Sequence, residues 1–145
     1  MTKTIQNLTF FTPKPSQSEG VILIDAGISA GFPSPADDFK ETRISLDEEL
    51  ITNKEATFFA KVSGQSMIGA GLNDNDLLVI DRSIEPANNK IAVCFLDGEF
   101  TVKRLRVEND EVWLQPENPD YPIIKITEEN NLVIWGIVTS VIKKL

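Results

Sequence analysis

Serine and lysine carry the nucleophilic chemistry open to this chain, because its sequence holds no histidine and a single cysteine. Without histidine, neither a Ser-His-Asp triad nor a Cys-His pair can form, and metal sites lose their usual nitrogen ligand. A serine hydroxyl is a weak nucleophile until a base takes its proton, and a neutral lysine amine can do so when it is held away from water. Lysine ordinarily titrates near pH ~10.4, so a lysine base working near neutrality must sit where burial disfavours its charge. Lys103 lies in the strand-like run Glu99-Phe100-Thr101-Val102-Lys103-Arg104-Leu105, whose aromatic and aliphatic members supply such surroundings. Side chains alternate along a strand, so Thr101 and Lys103 share one face while Phe100 and Val102 take the other. That spacing lets Thr101 orient the lysine amine. Taken singly, each residue has a plainer use: a lysine near a strand end commonly reaches out to water, and a serine soon after a glycine commonly serves a turn.

Other familiar sites are excluded by their spacing. Gly64-Gln65-Ser66 begins like a nucleophile elbow, but Ile68 stands where G-x-S-x-G requires its second glycine. No Walker phosphate loop or dinucleotide fingerprint occurs, and Asn73-Asp74-Asn75-Asp76 lacks the downstream glycine and glutamate of a calcium loop. No metal or other cofactor is expected. Cys94 has no partner for an internal disulfide and reads as a small buried hydrophobe in a reducing compartment.

The elements that must position Ser66 and Lys103 read as β structure. From Ala56 onward, short apolar runs are separated by turn residues: Thr57 to Val62, Leu77 to Ile80, Ile91 to Leu96, Phe100 to Leu105, Val112 to Leu114, Ile123 to Ile126 and Leu132 to Val141. This pattern predicts an antiparallel, mostly β domain over 41–145. Asp97-Gly98 predicts a type I′ hairpin between the third and fourth of these runs. Ser45-Leu46-Asp47-Glu48 fits a capping box opening a short helix over 46–52. Before it, residues 1–40 read as an arm. Residues 1–20 show no sustained period, Val21 to Ile24 reads as an isolated strand, and Gly31-Phe32-Pro33-Ser34-Pro35-Ala36 reads as a hinge or exposed linker. Trp113 and Trp135 read as core or interface anchors.

At 145 residues and 41% hydrophobic composition, the chain can bury one ordinary core. Its formal net charge of -8 repels polyanions, so direct nucleic-acid binding is not expected. With no apolar run of about 18 residues and no secretory leader pattern, a cytoplasmic location without membrane attachment is expected.

Val62-Ser63-Gly64-Gln65-Ser66-Met67 resembles the S-G-x-S-M nucleophile box of the LexA/UmuD family of self-cleaving Ser-Lys peptidases. Asp97 to Lys103 resembles the strand that bears that family's catalytic lysine. Ala30 to Ala36 resembles the cleavage region of its UmuD branch. Leu72 to Asp81 resembles the turn and strand after the nucleophile, and Leu114 to Ile123, with Pro116, Asn118 and Tyr121, resembles a later loop. The likeness spans about residues 28–142 in the family's order.

The resemblance implies that Ser66 attacks the carbonyl of Ala30, that Lys103 takes the proton, and that backbone N–H groups of Gln65 and Ser66 stabilise the oxyanion. The Ala30–Gly31 bond is then the substrate. Closing the loop of about 36 residues between Ala30 and Ser66 costs on the order of 3 kcal/mol, which the effective concentration of a tethered bond can offset. Cleavage between subunits is equally compatible. UmuD commonly has cysteine before the scissile glycine, and Ala30 keeps that position small. Only 30 residues precede the bond, and Lys3, Lys14, Glu19 and Asp25 cancel in charge, so a repressor with a DNA-binding domain is not expected. The short-armed branch implies a homodimer, a RecA filament that stimulates cleavage in the DNA-damage response, and a UmuC-type error-prone polymerase that the trimmed form assists. An alternative is a binding protein that keeps the fold and regulates a polymerase without cleaving. A third reading, signal-peptidase-like processing of other proteins, lacks the expected membrane anchor.

Overall fold

The computed structural model describes residues 3–5, 8–14, 21–24 and 41–145. The chain divides into two compact units, Met1–Pro13 with Asn53–Leu145, and Lys14–Thr52.

In the larger unit, the apolar runs become strands at almost the limits the sequence sets: β5 (Thr57–Val62), β6 (Leu77–Asp81), β7 (Ile91–Leu96), β8 (Glu99–Glu108), β9 (Glu111–Gln115), β10 (Ile124–Lys125) and β11 (Leu132–Ile142). Two further strands precede them, β1 (Lys3–Ile5) and β2 (Leu8–Phe11). All pairings are antiparallel, and among the described residues they form one sheet in the order β1-β2-β5-β6-β11-β7-β8-β9-β10. The fold is therefore mostly β, as the sequence predicts. Asp97 and Gly98 take φ values of 48° and 88° and join Leu96 to Glu99, the two positive φ angles a type I′ turn demands.

Strand β11 decides where the two catalytic candidates lie. Its first half, Leu132 to Ile137, pairs with β7, and its second half, Ile137 to Ile142, pairs with β6. It thus splints the β5-β6 hairpin to the β7-β8 hairpin. Register irregularities between Ile134 and Gly136 and between Val138 and Ser140 let one strand serve both partners.

Side chains on the sheet bury two apolar clusters. One holds Leu8, Phe10, Ala60, Met67, Leu78, Ile80, Val93 and Val102; the other holds Ala92, Cys94, Leu105, Leu114 and Ile137. Alternation along β7 explains the division, since Val93 points one way and Ala92 and Cys94 the other. Trp135 anchors the first cluster through contacts with Phe10 and Phe58 at 4.8 and 5.2 Å between ring centroids, while Arg82 stacks over it at 4.4 Å. Trp113 is half-buried, with the Lys125 amine 5.8 Å from its ring.

Three local expectations need correction. Part of the segment read as an arm is strand: β2 pairs with β5 from Leu8↔Val62 to Phe11↔Phe59, burying Leu8 and Phe10. Leu-Thr-Phe-Phe is too short to show a period of its own, and its pairing is supplied by the distant edge of β5. In the smaller unit, β3 (Val21–Ile24) is not isolated but pairs with β4 (Glu41–Ile44), a polar run with no apolar alternation to announce it. The helix α1 covers only Leu46–Leu50, and Ser45 makes no side-chain cap. One turn closes instead on backbone bonds, from the Glu49 N–H to the Ser45 carbonyl and from the Ile51 N–H to the Asp47 carbonyl.

Leu78 of β6 is fully buried beneath the splint. Leu78→Ala is expected to lower the unfolding free energy by about 2–5 kcal/mol, the range for a buried leucine that leaves a cavity. Urea denaturation should show a lower midpoint with an unchanged slope.

Candidate active site

Ser66 sits in the loop that leaves β5, and backbone and side-chain bonds from the following acidic turn shape this loop. The Asn75 N–H donates to the Val62 carbonyl at 2.9 Å, and the Gly64 N–H donates to Asp74 Oδ1 at 2.5 Å. Asp76 Oδ2 accepts from the Asn73 N–H at 2.8 Å and from the Lys143 amine, and these bonds hold its carboxyl below the usual range. The acidic turn thus spends Asp74 on the loop and Asp76 on its own backbone and Lys143. Among the described residues no cluster of metal-binding side chains occurs. Immediately after Ser66, Met67 is buried in the first apolar cluster, and its carbonyl accepts from the Ala70 and Leu72 N–H groups. Met67 pins one flank of the nucleophile candidate, while the acidic turn holds the other.

Lys103 comes from the middle of β8 and is only 7% exposed. Its Nζ lies 2.9 Å from Ser66 Oγ, 2.7 Å from Thr101 Oγ1 and 3.1 Å from the Val102 carbonyl oxygen. Three polar neighbours suit a neutral amine: two N–H bonds go to Thr101 and Val102, and the nitrogen lone pair remains for the Ser66 O–H. Burial holds the Lys103 pKa below the ordinary lysine value. A charged thiolate at Cys94 would oppose that fall, but burial pushes the Cys94 thiol up to about 12. Cys94 is therefore neutral over the range in which Lys103 loses its proton, and burial decides the outcome.

The Lys103 and Ser66 side chains meet at the floor of a cleft of about 130 Å³, walled by Leu8, Val62, Leu72 and Tyr121. A second hollow of about 230 Å³ shares Thr101, Lys103 and Tyr121 with it and is lined further by Leu96, Glu99, Pro122 and Ile124.

A third segment, 116–121, ties the serine loop to the lysine strand. The Glu117 N–H donates to the Ser66 carbonyl at 2.8 Å, the Gly69 N–H donates to the Glu117 carbonyl at 2.7 Å, and Asn118 Nδ2 donates to the Gln65 carbonyl at 2.9 Å. The Glu117 carboxylate bonds Arg104 Nε at 2.6 Å, next to Lys103 on β8. Gly69 is what permits the approach, since a Cβ there would stand 2.5 Å from the Glu117 carbonyl oxygen. The resemblance touches Pro116, Asn118 and Tyr121 as part of a loop, but Glu117 and Gly69 escape sequence reasoning. Two of their contacts run through backbone atoms, and the Glu117–Arg104 ion pair joins residues 13 apart that no local pattern links.

The structure brings Ser66, Lys103 and Thr101 into hydrogen-bond contact, and the Gln65 and Ser66 backbone lines the cleft. Ala30 and Gly31 lie outside the described residues. Residues 22–139 match the family described as Peptidase S24-like. The chain belongs to this peptidase family. It is 42% identical over 113 residues to protein MucA of Salmonella typhimurium, with 77% of each chain covered, and 43% identical over 115 residues to protein ImpA of the same species, with 79% of this chain and 78% of the relative covered. It is also 35% identical over 134 residues to the LexA repressor of Paracidovorax citrulli, covering 92% of this chain and 59% of that one. These relatives bear out the resemblance to the LexA/UmuD family. Among the described residues, no helix is long and apolar enough to cross a membrane.

The lowered Lys103 pKa has a signature in stability. Burial disfavours the charged amine in the folded state, so the unfolded chain binds the extra proton between the folded pKa and the unfolded value near ~10.4, and stability rises with pH across that window. In a Ser66→Ala background, Lys103→Met is expected to gain on the lysine-bearing chain below the folded pKa and to lose that advantage progressively as pH rises from the folded pKa to the unfolded value near ~10.4. Paired urea titrations measure the difference; a difference that stays flat with pH would contradict a depressed amine.

Proposed function

We propose that the chain is a serine peptidase that cuts its own Ala30–Gly31 bond, with Ser66 as nucleophile and Lys103 as base. The observation that carries this reading is the 2.9 Å contact between a buried lysine amine and the Ser66 hydroxyl in a chain without histidine. Ser66 Oγ attacks the Ala30 carbonyl carbon as its proton passes to Lys103 Nζ. Backbone N–H groups of Gln65 and Ser66 take the developing oxyanion. Collapse of the tetrahedral centre breaks the Ala30–Gly31 bond, and Lys103 returns the proton to the leaving Gly31 amine. Water, deprotonated by the same amine, then releases Ala30 from Ser66. Thr101 holds the amine in line throughout, through the 2.7 Å bond to its hydroxyl.

On this reading residues 1–40 include the substrate segment. Small residues at positions 30 and 31 let a strand lie close to the serine, and tethering raises the effective concentration of the bond. Family likeness supports the biological setting. Cleavage belongs to the DNA-damage response and is stimulated by a RecA filament. The trimmed homodimer then assists a UmuC-type error-prone polymerase in the cytoplasm, without touching nucleic acid directly; the net charge of -8 supports that last point.

Intact mass after incubation across pH 7 to 10 tests the chemistry. The unmodified chain should split between Ala30 and Gly31, at a rate that rises with pH until Lys103 is neutral. Ser66→Ala and Lys103→Ala should each fall by at least about 10³-fold, as when a member of a nucleophile-base pair is lost. Absence of cleavage in the unmodified chain, even with an activated RecA filament, would sink the proposal and favour a protein that only binds.

A further inference from the structure

Peptide planarity links Asn118 to the chemistry of Ser66. The carbonyl of Gln65 and the N–H of Ser66 belong to one peptide unit, and no peptide bond among the described residues is cis. In a trans unit the two groups point in opposite directions. Asn118 Nδ2 holds the Gln65 carbonyl at 2.9 Å, with a longer bond from the Ile68 N–H at 3.4 Å, so the Ser66 N–H is turned away from Asn118. Among the described residues that N–H has no protein acceptor, whereas the Ser66 carbonyl on the next unit is taken by the Glu117 N–H. Asn118 is itself fixed. It is 8% exposed, and its Oδ1 accepts the Asp120 N–H at 3.0 Å, which leaves Nδ2 to face Gln65.

We infer that Asn118 is a positioning residue that aims the Ser66 N–H at the oxyanion formed when Ser66 attacks. The inference rests on the self-cleavage reading above and adds to it which backbone donor is held and by what. Without Asn118 only the longer bond from the Ile68 N–H restrains this peptide unit, and a donor that must be turned into place during the reaction stabilises the oxyanion less than one already aligned. Asn118 does not touch Lys103, so its loss should leave proton transfer to the amine as it was.

Two variants separate these effects. Asn118→Asp keeps the acceptor for the Asp120 N–H but sets an oxygen against the Gln65 carbonyl, and Asn118→Ala removes both bonds. Self-cleavage is followed by intact mass across pH 7 to 10, with unfolding temperature measured on the same samples. Both variants are expected to show a limiting rate about 10–100-fold lower, the scale of a reacting group misplaced by about an ångström, with the midpoint of the pH profile unchanged. A limiting rate equal to that of the unmodified chain overturns the inference while leaving Ser66 and Lys103 in their roles. A moved midpoint also overturns it, because Asn118 would then act on the base. If both variants unfold below the assay temperature, Asn118 is a structural residue and the inference falls. If the unmodified chain and Ser66→Ala cleave alike, the underlying reading fails and takes this one with it.

Discussion

A lysine amine kept out of water beside a serine hydroxyl is the constraint around which this sheet is arranged. Ammonium groups lose strong hydration on burial, so Lys103 stays inside only if its surroundings accept a neutral amine and satisfy its hydrogen bonds. Both conditions are met locally. Thr101 and Val102 supply acceptors from the same strand as the lysine, and Ala92 and Cys94, its cross-strand neighbours on β7, are fully buried and uncharged. Among the described residues, Ser66 is the hydrogen-bond partner that comes from elsewhere in the chain.

Bringing that partner in is a long-range task. Ser66 and Lys103 stand 37 residues apart, Ser66 in the connection of the β5-β6 hairpin and Lys103 on β8 of the β7-β8 hairpin, and β11 is the strand that pairs with both hairpins. The 116–121 segment adds a second tie, from Arg104 on the lysine strand through Glu117 to the serine loop. Contacts of such sequence separation form only with the whole sheet, because loop closure must be offset by many pairings at once. The Ser66–Lys103 contact and the global fold are therefore one cooperative structure, and partly folded chains do not hold this serine and lysine in line.

The sequence is informative where a signal is local. β-Branched and aromatic runs bounded by turn residues mark seven strands of the larger unit almost to the residue, and Asp97-Gly98 marks its hairpin because few other dipeptides accept two positive φ angles. The absence of histidine narrows the base to lysine, and alternation along β8 puts Thr101 beside it. What could not be read is of another kind. β2 exists because the distant β5 pairs with it, β4 is a polar run that pairs with β3, and the insertion of β11 between β6 and β7 has no trace in any local period. The backbone bonds that join Gly69, Glu117 and Ser66 leave no pattern of residue types along the chain.

The state of the amine and the shape of the cleft follow from the same geometry. Free access of water to Lys103 would restore the charge on the amine. Lys103 is only 7% exposed, and the cleft of about 130 Å³ beside it is lined by Leu8, Val62, Leu72 and Tyr121. Leu8 comes from β2, so the segment that sequence reasoning leaves without structure helps to build this wall. Walls and amine thus depend on one another: Leu8, Val62 and Leu72 shape the cleft that Ser66 and Lys103 line, and the same sheet keeps the amine buried and its pKa low.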